Sequence, residues 1–235
     1  MALDDPLARP VWSALSGPQA GFGLARGRAR RFLPDVGLFA AMDEETPEAV
    51  ADLAALVAAH GQAGLVEPAA PPPVPGATVA SSALCWQMTA RELTPGPAPD
   101  AAIAPLGEAD APEMLALAEL TRPGPFFACT HRLGGFVGIR RDGRLLAMAG
   151  ERLRTRGAAE VSAVCTHPDA RGRGYASALM RAVAGRILAR GEIPFLHAYP
   201  DNGPAVALHR SLGFEPRREL VFTVLAPADA PGRAS

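Results

Sequence analysis

Apolar residues recur at every third or fourth position in several segments, a spacing that places them on one face of an α-helix. This spacing predicts helices in four places: from Thr46-Pro47 to Gly61 or Gly64, over Ala111–Thr121, over Tyr175–Arg190, and in a short segment opening at Asn202-Gly203-Pro204. In the first and last of these, a capping side chain and a proline in the first turn mark the start of the helix.

Shorter apolar runs bounded by Gly, Pro and Asp are typical of β-strands, and they are clearest after residue 100. Residues 134–155 contain two strands joined at Arg141-Asp142-Gly143, because Asp-Gly favours a tight hairpin turn. Further strands are predicted over 102–107, 157–167, Ile193–Tyr199 and Glu219–Leu225. The order is strand, helix, three strands, helix, strand, helix, strand, which predicts an α/β fold with a mixed sheet flanked by helices.

Two proline-rich stretches, residues 69–76 and 94–100, interrupt the first part of the chain and are typical of loops or linkers. We place a boundary at the second stretch. It separates a smaller N-terminal α/β region, residues 1–95, from a larger domain, residues 96–235. Two roles for the N-terminal region stay open: it shapes the acceptor side of a site in the larger domain, or it is a degenerate relative of that domain.

Composition excludes several kinds of chemistry. All 23 basic residues are arginine, so lysine Schiff bases, lysine general bases and lysine-containing P-loops are excluded. The three cysteines are far apart and form no CxxC pair, so we predict neither a disulfide framework nor a metal site. The N-terminus lacks a secretory pattern and no apolar run reaches about 18 residues, so we expect a cytoplasmic protein without membrane spans. A net charge of −1 and few aromatic residues argue against a nucleic-acid partner.

The segment Val164–Met180, VCTHPDARGRGYASALM, joins a predicted strand to a predicted helix. The first amides of a helix have no partner within it and carry partial positive charge. Gly172 and Gly174 allow close approach of a ligand, and Arg171 and Arg173 offer guanidinium groups that suit phosphate oxygens. Two interpretations follow: a pyrophosphate site, or a flexible surface turn with solvated arginines. A dinucleotide-binding motif is disfavoured because its third glycine is missing.

Two motifs together resemble the GNAT family of N-acetyltransferases. Residues 171–176, RGRGYA, are similar to the family's acetyl-CoA signature Gln/Arg-x-x-Gly-x-Gly/Ala, and Pro168 matches its lead-in. Residues 202–214 resemble the second motif, Asn-x-x-Ala-x-x-Leu-Tyr-x-x-Leu-Gly-Phe, with His209 in place of the tyrosine. The resemblance covers roughly residues 100–230 and favours the FR47-like branch. It implies a mixed, mostly antiparallel GNAT sheet and an acyltransferase that uses acetyl-CoA, or another short acyl-CoA, as co-substrate.

The resemblance also implies which residues contact the co-substrate. In the family, a strand that splays from its neighbour pairs with the pantetheine arm, which implies Val164, Cys165 and Thr166. Asn202 would contact the co-substrate near its thiol. Because the family transfers the acetyl group directly to an amine, Cys165 is expected to be a buried thiol and not a nucleophile. The pyrophosphate would lie on the amides of Arg171, Gly172, Arg173, Gly174, Tyr175 and Ala176.

Three residues are candidates for the base that deprotonates the amine. Glu160 lies eleven residues before Arg171, where one branch of the family carries a glutamate base. His197 lies five residues before Asn202, where another branch carries its glutamate, and histidine titrates near neutral pH. Glu151 is a weaker third candidate. Strict alternation along the strand places one set of residues on a common face: Glu160, Ser162, Val164 and Thr166.

His209 stands where the family has its tyrosine acid. An imidazolium, with an ordinary pKa of about 6.5, can protonate a thiolate whose conjugate acid has a pKa of about 8.5. Alternatively, the charge of His209 complements the C-terminal end of a helix. Residues 123–127, PGPFF, form either an acceptor-side loop or a plug of the core.

The predicted function is transfer of an acyl group from CoA to a primary amine of a small molecule or peptide. The alternative is an acyl-CoA-binding sensor or partner module without turnover. Both a monomer and a homodimer are compatible with the sequence.

Overall fold

The computed structural model describes residues 5–228 of the chain. The α-helices within this range are α1 (Pro10–Leu15), α2 (Pro47–His60), α3 (Ala111–Thr121), α4 (Tyr175–Ala189) and α5 (Gly203–Ser211). The strands in the same range are β1 (Gly23–Arg26), β2 (Ala29–Phe32), β3 (Ala40–Met42), β4 (Ala63–Glu67), β5 (Ala77–Thr89), β6 (Ile103–Leu106), β7 (Phe136–Arg141), β8 (Arg144–Thr155), β9 (Ala158–Thr166), β10 (Ile193–Ala198) and β11 (Glu215–Pro227). Residues 1–4 and 229–235 lie outside the described residues. The predicted absence of a secretory signal rests partly on the first of these segments, and the two predicted regions, 1–95 and 96–235, have their outer ends in them.

Eight strands form one large sheet, in the order β4-β11-β5-β10-β9-β8-β7-β6. Its neighbouring strands are antiparallel, except that β9 and β10 run parallel. After residue 100, helices and strands follow one another in the predicted order. The predicted fold class, a mixed and mostly antiparallel sheet flanked by helices, is therefore confirmed. Strands β1, β2 and β3 form a separate small sheet.

Strand β5 ties the N-terminal part of the chain into the large sheet. It lies between β11 and β10, pairing with β11 along its whole length and with β10 over Trp86–Thr89. The predicted boundary near residue 95 therefore divides the sequence, whereas the sheet contains strands from both sides of it. A second link joins the loop after α3 to the N-terminal region, because the Thr130 hydroxyl donates to the carbonyl of Val36 at 2.7 Å.

Helices α3 and α4 pack against the sheet in two separate apolar clusters. The periodic residues of α4, including Leu179 and Ile187, are fully buried in one cluster. Burial of each such side chain contributes about 1.5–3 kcal/mol to stability. Met114 and Leu117 of α3 pack in the other cluster, together with Cys165 of β9. The end of β9 is thereby fixed between two helices.

Candidate active site

The parallel strands β9 and β10 separate part-way along their length. They pair only where Ala158–Glu160 lies opposite Ile193–Phe195. Beyond this point β9 remains paired with β8 up to Thr166, and β10 remains paired with β5 up to Ala198. Among the described strands, the far half of β9 thus has no neighbour on one edge, and a cleft opens between β9 and β10.

A β-bulge at Ala163 reverses the alternation of side chains along β9. Ala163 has a φ of +52°, in the left-handed region that is uncommon outside glycine, and the pairing with β8 changes register there. Val161 and Val164 both pack on the α4 side, whereas Cys165 packs on the α3 side. The predicted placement of Glu160 and Val164 on one face is therefore wrong, because the extra residue turns them to opposite faces.

The first of two adjoining cavities lies between the far half of β9 and the start of α4, with a volume of about 360 Å³. Gly172 and Gly174 have φ values of +77° and +74°, which glycine adopts without strain. Among the described residues no side chain caps α4, so the amides of its first turn are available to bind an anion. The predicted residues that line this cavity are Val164, Cys165, Thr166, Arg171, Gly172, Gly174, Tyr175 and Ala176.

The cations at this turn are accessible. Arg171 and Arg173 are both exposed, and neither forms an ion pair within residues 5–228. Arg171 lines the cavity, whereas Arg173, which was also predicted to bind the co-substrate, is not one of the lining residues. The positive charge at the mouth therefore comes from Arg171 and the helix amides, with Arg173 beside them.

Thr166 supplies an unpaired polar atom to the first cavity. Its Oγ1 is buried and has no hydrogen-bond partner in the described part of the chain. Leaving such a group unpaired costs about 1–3 kcal/mol, which a bound ligand could recover. The free amides, the accessible arginine and this hydroxyl together fit the phosphate and amide groups of a CoA thioester.

Two of the predicted co-substrate residues direct their side chains into the protein. Tyr175 is only 1% exposed, and its hydroxyl accepts a hydrogen bond from Nε of Arg141 at 3.1 Å. Burial raises the pKa of the Cys165 thiol to about 11, so the thiol stays protonated at neutral pH and is a poor nucleophile. Their side chains are therefore buried, so any contact of these two residues with a co-substrate is expected through the backbone.

The second cavity adjoins the first and has a volume of about 440 Å³. The two cavities share Thr121, Pro123 and Val164 as lining residues, so they adjoin at these positions. The second cavity brings together four of the residues predicted from the sequence: Glu160, His197, Asn202 and His209.

The second cavity has both polar and apolar walls. One wall comes from the N-terminal region and β11, and consists of Phe39, Val66, Cys85 and Phe222. Pro123 and Pro125 of the 123–127 loop also line this cavity. Phe126 and Phe127 do not line it, and Phe126 packs edge-on against Phe136, with ring centroids 5.8 Å apart. Packing in the core therefore describes Phe126, and an acceptor-side role for the loop stays a prediction.

Glu160 is the centre of a buried charged cluster on the second cavity. It is 1% exposed and accepts hydrogen bonds at 2.8 Å from Nε and Nη2 of Arg152 and from Nδ1 of His197. Burial raises the pKa of Glu160, but the charge and hydrogen bonds of Arg152, together with the hydrogen bond from His197, outweigh burial and hold that pKa well below its usual value. Glu160 is therefore an anion whose oxygens are already occupied.

His197 keeps one nitrogen free. Because Nδ1–H donates to Glu160, Nε2 is the acceptor nitrogen of the neutral ring. Nε2 is buried and unpaired within residues 5–228, and His197 lines the second cavity. Glu160 and His197, which the sequence presents as competing bases, thus form one pair. His197 has an unpaired acceptor nitrogen and lines the cavity, and Glu160 orients the ring.

His209 differs from the imidazolium expected at this position. Burial lowers its pKa from 6.5 to about 4, so the ring is neutral at pH 7. Its Nδ1 is buried without a partner among the described residues, and its ring lies 6.5 Å from the ring of Phe214. A cationic acid at His209 does not fit this burial.

Two further predicted residues are held in local structure. Both oxygens of Glu151 accept hydrogen bonds at 2.9 Å from Arg190, and Glu151 lines neither cavity. The ion pair with Arg190 and the absence of Glu151 from both linings argue against Glu151 as the base. Asn202 lines the second cavity, but its Oδ1 caps α5 by accepting from the amide of Ala205 at 3.3 Å. Only the amide nitrogen of Asn202 is left for a ligand.

Comparison with solved structures decides the family. A protein from Novosphingobium aromaticivorans, assigned to the GNAT acetyltransferases, is 47% identical over 96% of this chain and 100% of its own, with a TM-score of 0.85. The chain belongs to the GNAT family. A GCN5-related N-acetyltransferase from Kribbella flavida shares the GNAT fold at 21% identity, covering 95% of this chain and 96% of its own, with a TM-score of 0.67. The FR47-like protein family matches residues 136–223. No functionally curated protein sequence matches the chain.

Membership of the GNAT family makes this protein an acyltransferase, as the two sequence motifs predict. GNAT acetyltransferases in general use acetyl-CoA, which agrees with the groups assembled in the first cavity. Over residues 5–228, no helix is long and apolar enough to cross a membrane. In the same range, no group of three or more His, Cys, Asp or Glu residues is placed to hold a metal ion.

Three further residues line the second cavity without having been predicted from the sequence as site residues: Arg152, Phe39 and Phe222. A signal for Arg152 exists, because a tight turn at Arg156-Gly157 joins β8 to β9, and counting back along the hairpin brings Arg152 near Glu160. Local patterns give no such signal for the two phenylalanines. They reach the cavity through the position of β11 in the sheet and of the segment before β3.

Proposed function

We propose that this protein transfers an acetyl group, or another short acyl group, from a CoA thioester directly to a primary amine, with His197 as the base. The observation that carries the proposal is the unpaired Nε2 of His197, because His197 lines the second cavity beside the cleft proposed for CoA. The thioester supplies an activated carbonyl carbon. The amine must reach that carbon as a neutral nucleophile, which requires a proton acceptor at the second cavity.

The first cavity would hold the CoA portion. The first-turn amides of α4 and the Arg171 guanidinium would bind the pyrophosphate, since both offer donors to its oxygens. The unpaired edge of β9 would bind the pantetheine arm by main-chain hydrogen bonds. With the co-substrate bound in this way, its thioester end would lie at Val164, where the two cavities meet.

His197 would then move the proton. As the amine nitrogen bonds to the carbonyl carbon, Nε2 accepts the proton that the nitrogen loses. Glu160, held anionic by Arg152, stabilises the imidazolium that forms and keeps the ring in its reactive tautomer. The C–S bond breaks, and the same proton neutralises the departing thiolate. The sum is one amine and one thioester converted to one amide and one thiol, with no second protein acid needed.

His209 has a different part in this scheme from that of the tyrosine it replaces. A neutral imidazole is a weak acid, but it can donate one hydrogen bond to the developing negative charge. Its position on the second cavity allows that role. His209 is therefore proposed to stabilise charge without giving up a proton.

The test is the substitution His197→Asn, assayed by release of CoA thiol with a panel of primary amines. Asparagine can still donate to Glu160 but lacks the Nε2 acceptor, so kcat should fall about 10²–10⁴-fold while calorimetry shows unchanged acetyl-CoA binding. His60→Asn is the matched control, since His60 is exposed at the end of α2 and should keep full activity. A His197→Asn enzyme with near-normal kcat would refute the assignment. If acetyl-CoA binds but no amine is acetylated, the protein is a sensor without turnover.

Glu160 is proposed as a positioning residue, so its test needs a readout besides rate. In Glu160→Gln the anion that stabilises the imidazolium is gone, and the acid limb of the pH–rate profile should move to lower pH. An unchanged profile with merely reduced protein stability would show that Glu160 is structural only.

A further inference from the structure

We propose that the acceptor is an α-amino acid with an apolar side chain, whose carboxylate is bound by Arg152 while its amine faces His197. This inference rests on the proposed function, because it names the amine that the same cavity takes. It follows from three features of the second cavity: the unused donor of Arg152, the charges on the lining, and the aromatic wall.

Arg152 has a donor to spare. Its Nε and Nη2 both donate to Glu160, whereas Nη1 donates to no acceptor in residues 5–228. Arg152 lines the second cavity, and its side chain is 13% exposed. A guanidinium with one edge fixed on a buried carboxylate is held in place, so its remaining donor is pre-organised for a second anion.

Arg152 and His197 lie side by side because they share one oxygen. Oε1 of Glu160 accepts from Nη2 of Arg152 and from Nδ1 of His197, both at 2.8 Å. The unused groups next to those two contacts are a donor, Nη1, and an acceptor, Nε2. An α-amino acid carries the complementary pair, a carboxylate and an amine, on one carbon atom. Binding of one such ligand can satisfy both groups.

The charges on the lining disfavour polycationic acceptors. Glu160 is the only acidic residue that lines the second cavity among the described residues, and its oxygens are occupied by Arg152 and His197. Arg122, also on the lining, is exposed. Polyamines and aminoglycosides would bring several positive charges to a cavity without a free carboxylate. A ligand with its own carboxylate instead compensates the arginines.

The aromatic wall suits an apolar side chain. The rings of Phe39 and Phe222 lie 5.8 Å apart on this cavity, with Val66 and Cys85 beside them. The guanidinium of Arg152 stacks on Phe39, with its central carbon 4.7 Å from the ring centroid. The carboxylate contact and the apolar wall are therefore adjacent, as they are in an amino acid with a hydrophobic side chain.

The test compares acceptors that differ only in the carboxylate: phenylalanine with phenethylamine, and leucine with isoamylamine. For the unmodified enzyme, kcat/KM should be about tenfold to a hundredfold higher for each amino acid, as expected for one charge-assisted hydrogen bond. Glycine should be a poorer acceptor than phenylalanine, because it leaves the aromatic wall uncovered. Spermidine and kanamycin should be the poorest.

Three variants locate the contacts. Arg152→Gln keeps a donor for Glu160 but lacks Nη1, so the preference for phenylalanine over phenethylamine should largely disappear. Phe39→Leu should lower kcat/KM for phenylalanine and for phenethylamine by the same factor, so that the ratio of the two values stays unchanged. Arg122→Gln removes the other cation of this cavity and should alter the ratio much less than Arg152→Gln does. The control is Arg186→Gln, an exposed arginine of α4 outside both cavities, which should change neither value. Loss of the preference in Arg122→Gln, with Arg152→Gln unaffected, would overturn the assignment.

The substrate comparison stands even if Arg152→Gln fails to fold. If phenethylamine, spermidine or kanamycin is acetylated as well as phenylalanine or better, the inference is refuted while the proposed function holds. If acetyl-CoA binds and no acceptor gives thiol release, the proposed function itself fails.

Discussion

The neutrality of His209 can be measured through the stability of the protein. Burial lowers the pKa of this ring from 6.5 to about 4. Below pH 6.5 His209 is protonated in the unfolded chain, whereas in the folded protein it becomes protonated only near pH 4. The free energy of unfolding therefore falls as the pH drops from 6.5 to about 4. With one pKa unit equal to about 1.4 kcal/mol, this residue alone should cost about 2 kcal/mol between pH 7 and pH 5.

The measurement is urea unfolding of the unmodified protein and of His209→Gln at pH 7, 6 and 5. Acidic residues titrate in both proteins, so the difference between the two pH dependences isolates His209. The unmodified protein should lose about 2 kcal/mol more than the variant over this range. His60→Gln, at the exposed end of α2, should follow the unmodified protein. If His209→Gln loses as much stability as the unmodified protein, His209 titrates normally and can serve as a cationic acid.

Three further predictions concern the first cavity and the residues around it. Gly174→Ala should cost about 1–2 kcal/mol of backbone strain at a φ of +74°, with open space around the new methyl group, and should weaken acetyl-CoA binding in calorimetry; unchanged binding would show that this turn does not hold the ligand. Cys165→Ala should keep kcat within about twofold, and mass spectrometry should detect no acetylated protein during turnover, whereas an acetyl adduct that needs Cys165 would establish a covalent route. Glu151→Gln should lower Tm, because Arg190 loses its carboxylate, and should leave kcat unchanged; a large loss of kcat in a stable variant would restore Glu151 as a base candidate.

Local signals in the sequence predict much of this fold. Thr46 caps α2 through its side chain, as the Thr-Pro start predicts. The Asp142-Gly143 turn joins β7 to β8 with both residues in the left-handed region, as a tight hairpin requires. These features depend on neighbouring residues only, which is why composition and spacing are enough.

Pairing between distant strands is harder to predict. The place of strand β5 between β10 and β11 depends on partners more than a hundred residues away in the sequence. The periodicity of a strand shows which residues share a face but not which strand lies beside it. The same limit applies to the predicted boundary near residue 95. A proline-rich segment marks a break in the secondary structure of the chain, but it does not indicate which strands lie side by side in the sheet.

The candidate site shows the same division. Sequence motifs alone locate the turn at Gly172 and Gly174 and the histidines at 197 and 209. The contact between Glu160 and His197 depends on the parallel register of β9 and β10, which no motif encodes. The bulge at Ala163 adds one residue to the strand, so simple alternation fails there.

The position of β5 also has a consequence for the order of folding. Strand β11 pairs with both β4 and β5, yet strands β6 to β10 all lie between β5 and β11 in the sequence. During synthesis, β4 and β5 must therefore wait, with open hydrogen-bonding edges, until β11 has been made. Phe222 arrives with that strand and closes the aromatic wall. A chain without β11 thus lacks both the strand that joins β4 to β5 and the Phe222 part of the second cavity, so this cavity is complete only after the last strand has been added.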